Sequence, residues 1–290
     1  MSQREHATIR RRQFRLSGGE TLSYLAGGDP SRPAVLLLHG FPNSSEMFRE
    51  IAQELSESAF IIAPDLPGFG ESDVLTITTF DRFGEAVAEL LSHLEVGARY
   101  IYLHDFGAPV GLHLAMADPE QVLGLIIQNA NAHWAGIGPD WAGTIPYWTE
   151  RSAENEAAAT SHLTLEGIRD QYLAEVPPDV TAGISDERWK EDWRVMNLPG
   201  RREVQRALIA DYGTYVSRFP SVAEYLARWQ PSALLLWGRH DAFFELDETL
   251  SWMRALPRME AHIFDGGHLL LETHSPRVAP VLRDFVEQPA

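Results

Sequence analysis

Short runs of consecutive apolar residues recur along the chain, and each ends abruptly at polar residues, glycine or proline. They occupy residues 35–38, 60–63, 100–103, 123–127, 233–237 and 262–264. Strands that are apolar on consecutive rather than alternate residues are typical of parallel sheets, whose two faces are both covered. The pattern therefore predicts a mostly parallel sheet of strands buried on both faces.

Between these runs the apolar residues follow a helical period. They recur at that spacing after the second run and again near the C-terminus, at Phe83, Val87, Leu90, Leu91 and Leu94 and at Val278, Val281, Leu282 and Phe285. Strands that alternate with helices predict an α/β fold with helices on both faces of the sheet. Residues 9–16 and 21–25 alternate more regularly, which favours an antiparallel pair at the sheet edge.

The middle of the chain breaks this rhythm. Residues 134–220 contain no apolar run of the strand type, and their composition is one of helix formers interspersed with Trp, Tyr and Pro. A block of this size between two strands predicts an inserted helical cap. We therefore expect an α/β core formed by residues 1–133 and 221–290, with the cap at 134–220.

Composition narrows the classes of partner. The formal net charge is −17, which disfavours nucleic acid and anionic membrane surfaces as partners. Cysteine is absent, so disulfides, thiolate metal sites and cysteine nucleophiles are excluded. Residues 1–6 do not resemble a signal peptide, and the apolar run at 34–38 is far shorter than the roughly 20 residues of a membrane span. These features predict a soluble cytoplasmic protein, monomeric or homodimeric, that acts on a small molecule.

Polar residues follow four of the predicted strands, at the sheet edge where α/β proteins form their sites. Asp105 stands between a strand and Gly107 in a strand–turn–helix arrangement that exposes a nucleophile, although alone it could equally cap the helix. His268 alone would be a surface histidine, and Asp241 alone a turn residue. Their order along the chain, nucleophile, acid and base, is that of a hydrolytic triad on this kind of sheet.

Several motifs along the chain carry a resemblance to the α/β-hydrolases, and within them to epoxide hydrolases and haloalkane dehalogenases. They are His39-Gly40-Phe41-Pro42, the segment 64–73 (PDLPGFGESD), His104-Asp105-Phe106-Gly107, Trp237-Gly238-Arg239-His240-Asp241 and Gly266-Gly267-His268. The resemblance implies an α/β-hydrolase fold with an inserted helical cap. The chain contains no Gly-x-Ser-x-Gly motif, and Leu103 departs from the small residue usual two positions before the nucleophile.

Carried over position by position, the resemblance implies that Asp105 is the nucleophile and His268 the base that activates water. Asp241 would orient His268, and the backbone amides of Phe41 and Phe106 would form the oxyanion hole. Some members place the acid after the strand that precedes the cap, but residues 128–131 hold no carboxylate.

An aspartate nucleophile favours displacement at a saturated carbon that bears a leaving group. The product is an alkyl ester of Asp105, whose carbonyl is then attacked by water that His268 deprotonates. This scheme requires no metal or organic cofactor, and the sequence contains no His-Glu-x-x-His or comparable ligand cluster. A plain esterase or lactonase activity is less favoured, because the serine nucleophile is missing.

The leaving group decides the substrate. In the epoxide hydrolases that this chain resembles, two cap tyrosines protonate the ring oxygen, and here Tyr147 lies early in the cap while Tyr212 and Tyr215 lie late. We expect Tyr147 and Tyr212 to take this role on a small apolar epoxide. We expect the side chains of His39, Trp134, Trp148 and Tyr215 to line the substrate pocket.

Two alternatives stay open. A haloalkane dehalogenase of this resemblance would hold its halide with a Trp after the nucleophile and an Asn after His-Gly, where this chain has Phe106 and Phe41. Cap tryptophans such as Trp134, Trp141 and Trp148 could supply a rearranged halide site. The second alternative is a catalytically weak member of the fold that binds a small molecule. Epoxide hydrolysis is the expectation that the sequence favours.

Overall fold

The computed structural model describes residues 8–288, so the prediction made for residues 1–6 lies outside the described part. Eight strands lie within it: β1 (Arg10–Arg15), β2 (Thr21–Gly27), β3 (Ala34–Leu38), β4 (Phe60–Pro64), β5 (Arg99–His104), β6 (Val122–Gln128), β7 (Ser232–Gly238) and β8 (Glu260–Phe264). The α-helices before the last two strands are α1 (Arg49–Leu55), α2 (Phe80–His93), α3 (Gly107–Ala117), α4 (Ile145–Thr149), α5 (Ala153–Ala159), α6 (Leu165–Leu173), α7 (Pro178–Thr181), α8 (Glu187–Met196), α9 (Arg201–Ser217) and α10 (Phe219–Trp229). Helix α11 (Asp247–Ala255) separates β7 from β8, and α12 (Leu271–Glu287) follows β8.

The eight strands form one sheet in the order β1-β2-β4-β3-β5-β6-β7-β8. β1 and β2 pair antiparallel at one edge, β2 pairs antiparallel with β4, and all other neighbours are parallel. The predicted parallel sheet with an antiparallel edge pair is therefore confirmed. The strand order reverses next to β3, and a sheet of this kind opens a crevice at the carboxyl ends of its strands near such a reversal.

Helices cover both faces of the sheet, as the apolar runs predict. Leu36 and Leu38 of β3 contribute to one buried cluster and Val35 and Leu37 to the other, because successive side chains of a strand point to opposite faces. Helices α2 and α3 pack on the first face, while α1 and α12 pack on the second. This is the predicted α/β fold class.

The last strand differs from the prediction of burial on both faces. β8 forms the far edge of the sheet, and Ile263 is 47% exposed. An edge strand pairs with one neighbour only, so its residues are less covered than those of the inner strands. The apolar run at residues 262–264 is therefore a strand, but one that is half covered.

A helical segment lies between β6 and β7. Within the described residues it contains helices α4 to α10 and no strand. It is fastened to the core by side chains: Arg218 donates to both carboxylate oxygens of Asp81 at 2.5 and 2.7 Å, and Asn43 donates to the Tyr172 hydroxyl and to Asp192. The cap boundaries at residues 134 and 220 stay a prediction. In residues 8–288 no helix combines the length and the apolarity that crossing a membrane would require.

Candidate active site

Asp105 occupies the tight turn between β5 and α3. Its φ is +48°, a backbone conformation that costs free energy for a residue with a side chain and that projects the carboxylate away from the strand. Glycine is required beside it, since a Cβ on Gly107 would lie 2.3 Å from the Leu38 carbonyl oxygen and one on Gly40 would lie 2.1 Å from Asp105 Oδ1. The two glycines therefore let the β3 loop approach the Asp105 carboxylate closely.

Two backbone amides point at this carboxylate. The amide of Phe41 donates to Oδ1 at 2.6 Å, and the amide of Phe106 also donates to the side chain of Asp105. Burial raises the pKa of Asp105, while the nearby His268 and the two amides oppose that shift by favouring the ionised form. The pair of N–H groups can hold negative charge on a carboxylate oxygen and on the oxyanion formed from it.

His268 lies between two carboxylates. Its Nδ1 is 2.8 Å from Asp241 Oδ2 and its Nε2 is 3.8 Å from Asp105 Oδ2. Burial alone would lower the pKa of His268, but the charge and hydrogen bond of Asp241, with Asp105, outweigh it and raise that pKa. Nε2 makes no hydrogen bond to any described residue, so it can accept a proton from a molecule next to Asp105.

Asp241 is itself fixed by several donors. The amides of Phe243 and Phe244 donate to its Oδ1 at 2.7 and 3.1 Å, and the side-chain amide of Asn129 donates to its Oδ2 at 2.7 Å. Asn129 follows β6 with a φ of +40° and also bridges the backbone of Gly238. In the sequence this position stands out only because it lacks a carboxylate, and an Asn after a strand gives no other signal of function.

A cavity of about 450 Å³ opens over Asp105. The core contributes Phe41, Asp105 and Phe106 to its wall, together with Phe243 and Phe244 from the loop after β7. The segment between β6 and β7 contributes the rest of the wall: Pro139, Asp140, Trp141, Gly143, Thr144, Ala158, Ala159, Ser161, His162, Gln171, Ile209 and Tyr212. The volume is in the range that binds small organic molecules.

The three tyrosines considered from sequence lie in different surroundings. Tyr212 lines the cavity, and its hydroxyl has no hydrogen-bond partner among residues 8–288. Tyr215 donates its hydroxyl to the Asn131 carbonyl instead. Tyr147 is buried beneath the Arg151 guanidinium, which lies 4.7 Å from its ring centre, and it is not part of the cavity wall. Of the three, only Tyr212 is brought to the cavity.

The other expected pocket residues lie away from the cavity wall. His39 is fully buried, and its Nε2 accepts a hydrogen bond from the Leu66 amide at 2.9 Å. Trp148 donates its indole N–H to the Ile209 carbonyl at 3.1 Å. Trp134 is 59% exposed. His39 and Trp148 therefore make hydrogen bonds within the fold, and Trp134 is largely exposed to solvent. Other side chains of the segment between β6 and β7 face Asp105.

His162 and Gln171 line the cavity although sequence reasoning did not select them. His162 comes from the loop between α5 and α6, and its ring centre lies 5.5 Å from that of Phe41. Gln171 lies on α6 with only 6% of its surface exposed. No motif marks either position, so only the packing of the cap identifies them. Among the described residues, no group of three or more metal-ligand side chains could hold a metal ion.

Known proteins that are similar to this chain share the fold described above. The sequence profile of a family described as the alpha/beta hydrolase fold matches residues 33–275. An uncharacterised hydrolase of Saccharomyces cerevisiae is 29% identical over 92% of this chain and 93% of its own length. Epoxide hydrolase 3 of Xenopus tropicalis is 26% identical over 98% of this chain and 78% of its own length. A crystal structure of the protein DbjA superposes with a TM-score of 0.80 over 96% of this chain and 97% of that one, at 22% identity.

Proposed function

The chain belongs to the α/β-hydrolase fold family, and from that premise we propose that it is an epoxide hydrolase with Asp105 as its nucleophile. The observation that carries the proposal is that Tyr212 and Asp105 line the same cavity. The Tyr212 hydroxyl makes no hydrogen bond of normal geometry within residues 8–288, although the nearby Asn131 side chain favours its ionised form. Ring opening needs a nucleophile on carbon and an acid at the ring oxygen, and Asp105 with Tyr212 would supply both.

In the proposed reaction one Asp105 oxygen attacks an epoxide carbon, the carbon–oxygen bond breaks, and the ring oxygen takes the Tyr212 proton. Burial, with the hydroxyl of Tyr215 and the charge of Asp105, raises the pKa of Tyr212 well above its ordinary value, so it is protonated before the reaction. The products are a hydroxyalkyl ester of Asp105 and a phenolate, which regains its proton when the ester is hydrolysed.

Water completes the proposed cycle. His268 Nε2 removes a proton from a water molecule, whose oxygen attacks the ester carbonyl of Asp105. The amides of Phe41 and Phe106 hold the oxyanion of the tetrahedral adduct. Its collapse expels the diol oxygen, which takes the proton from His268, and leaves Asp105 as a carboxylic acid. That acid gives its proton to the Tyr212 phenolate, which restores both residues. The orientation of His268 by Asp241 would keep Nε2 free to act as the base.

Halide displacement is less well supported. A halide needs N–H donors that face the leaving group, and the cap indoles nearest to the cavity are already used. Trp141 donates to the Phe243 carbonyl at 2.7 Å and Trp148 to the Ile209 carbonyl. Phe106, next to the nucleophile, has no side-chain donor. A dehalogenase, or a protein that only binds its ligand, is therefore an outcome of the test below.

The test is the intact mass of the His268→Gln variant after incubation with a panel of epoxides and haloalkanes. Without the base the ester should accumulate, because displacement survives and water attack is crippled. An adduct with the full mass of an epoxide is the expected result, and Asp105→Asn combined with His268→Gln is the control that should carry none. An alkyl adduct that lacks its halogen would replace the proposal with dehalogenation. The absence of any adduct, from epoxides and haloalkanes alike, would overturn the assignment of Asp105 as the nucleophile.

The tyrosine assignment has its own test. Tyr212→Phe should slow alkylation of Asp105 by epoxides by roughly 10²- to 10⁴-fold, the usual effect of losing a general acid. Tyr147→Phe is the matched control, because that ring lies outside the cavity wall. Rapid-quench mass spectrometry of a single turnover measures the step directly. Equal rates in the two variants would remove Tyr212 from the reaction.

A further inference from the structure

The cap presents a polar wall to the cavity. Gln171 lines the cavity, and only 6% of its surface is exposed. Its side-chain amide makes no hydrogen bond to another residue within 8–288. A primary amide can both donate and accept hydrogen bonds, so this one can bind a molecule in the cavity. Its neighbours on α6, Ile168 and Tyr172, are also buried.

His162 adds a second group of the same kind. It lines the same cavity, and no hydrogen bond or ion pair joins its imidazole to another described residue. Burial lowers the pKa of His162 to about 4, and no carboxylate acts to raise it. At neutral pH the ring is uncharged, with one nitrogen that donates and one that accepts.

The wall is suited to an uncharged partner. An anionic group placed against a neutral amide and a neutral imidazole would lose its hydration without gaining a counter-charge. An anion would also meet the carboxylate of Asp140, which lines the cavity, and that of Asp105. The complementary group is one that both donates and accepts hydrogen bonds without a net charge.

We propose, building on the proposed function, that the natural substrate is an uncharged epoxide carrying a hydroxyl or carboxamide group away from the ring, and that Gln171 with His162 binds this group. Tyr212 then serves the reacting end of the molecule and the α5–α6 segment the other end. Binding at the far end fixes which epoxide carbon faces Asp105. This narrows the substrate class that the sequence suggested, which was simply apolar.

The experiment uses alkyl glycidyl ethers of increasing length that end in a carboxamide. Each is paired with the same ether ending in an isopropyl group, which has the branching of the amide but none of its hydrogen bonds. For the best length, the wild-type kcat/KM should favour the carboxamide by about tenfold or more. Gln171→Leu should collapse this ratio towards unity, and His162→Phe should reduce it.

Gln205→Leu is the matched control. Gln205 is also buried, at 2% exposed, lies on cap helix α9 and is not part of this cavity wall, so the ratio should be unchanged. If the wild-type enzyme hydrolyses the carboxamide-ended and the isopropyl-ended ethers equally well at every length, the inference is overturned, even if the variants fail to fold. A Gln171→Leu variant that keeps the full preference also overturns it.

Failure of the underlying function gives a different result. If His268→Gln forms an ester with members of either series, Asp105 is alkylated by epoxides and the proposed function holds. The inference then depends only on the preference between the carboxamide-ended and the isopropyl-ended ethers. If no ether of either series and no simple epoxide alkylates His268→Gln, the proposed function itself fails, and the inference fails with it.

Discussion

The Asp241 carboxylate accepts hydrogen bonds from three donors besides His268. Those donors are the amides of Phe243 and Phe244 and the side chain of Asn129. These donors hold Asp241 in place beside His268. Burial lowers the pKa of His268, and the charge and hydrogen bond of Asp241 oppose that effect. The pH dependence of the proposed hydrolytic step should therefore report on this pair of residues.

We expect the decay of the Asp105 ester to accelerate as the pH rises through the pKa of His268, because only the neutral imidazole accepts a proton from water. In the ester Asp105 is uncharged, so Asp241 alone opposes the effect of burial on that pKa. In Asp241→Asn, burial would remain while the opposing charge is lost, so the pKa should fall and the inflection should move to lower pH. The plateau rate should also fall, by roughly 10²- to 10⁴-fold. Rapid-quench mass spectrometry across the pH range measures both effects.

Asp265→Asn is the matched control for this prediction. Asp265 precedes His268 by three positions but pairs with Arg239 and His240 at the surface, at 2.8 and 2.6 Å. Its neutralisation should leave the inflection in place. An inflection that stays fixed in Asp241→Asn would contradict the assignment of Asp241 as the residue that raises the pKa of His268.

Among the elements, the contact of α9 with α4 controls where Tyr212 lies. Gly213 follows Tyr212 on α9, and the side chain of Trp148 on α4 packs directly against it. The Trp148 indole also donates to the backbone of α9 at Ile209. The Trp148 ring therefore fixes the distance between the two helices, and through it the place of Tyr212.

Gly213→Ala tests this contact. In a free helix the substitution would stabilise by about 1 kcal/mol. Here the added Cβ would lie 2.5 Å from Trp148 Cβ, and overpacking of this kind costs about 1–3 kcal/mol. We expect a lower melting temperature, by roughly 2–4 °C for each kcal/mol of net loss, in thermal unfolding followed by circular dichroism.

The control for the helix contact is Gly183→Ala, since a Cβ at Gly183 meets no atom within 4 Å. That variant should melt close to the wild type. A Gly213→Ala protein that is as stable as Gly183→Ala would show that α4 yields freely, and the distance between the helices would then not be set by Trp148.

For the whole molecule, charge is the dominant property. The net charge of −17 and the carboxylates at the cavity should repel an anionic substrate during approach. We expect kcat/KM for a carboxylate-ended glycidyl ether to rise as salt increases from about 0.01 M to about 1 M, because the screening length falls from about 30 Å to about 3 Å. The carboxamide-ended ether is uncharged, and its kcat/KM should change little. A falling value for the anion would point to a cationic binding group instead.

The features that the sequence predicted depend on residues close together in the chain. The consecutive apolar runs, the glycines and prolines that end them and the helical spacing between them define the parallel sheet and its cap-sized insertion. Strand ends of a parallel sheet meet at one edge. For that reason, the positions of Asp105, Asp241 and His268 could be expected near one another from their place after three strands alone.

What only the tertiary structure decided are the contacts between elements remote in sequence. The sequence favoured Tyr147 and Tyr212 as the acids and Tyr215 as a pocket residue, and of these three only Tyr212 lines the cavity. Gln171 and His162 carry no motif, and Asn129 after β6 donates to Asp241 after the neighbouring strand β7. Local periodicity specifies which residues form a helix, but the face that a cap helix turns to the core depends on side chains far away along the chain. The sequence thus determined the sheet and which side chains follow its strands, while the packing of the helices between β6 and β7 decided the shape and polarity of the cavity above them.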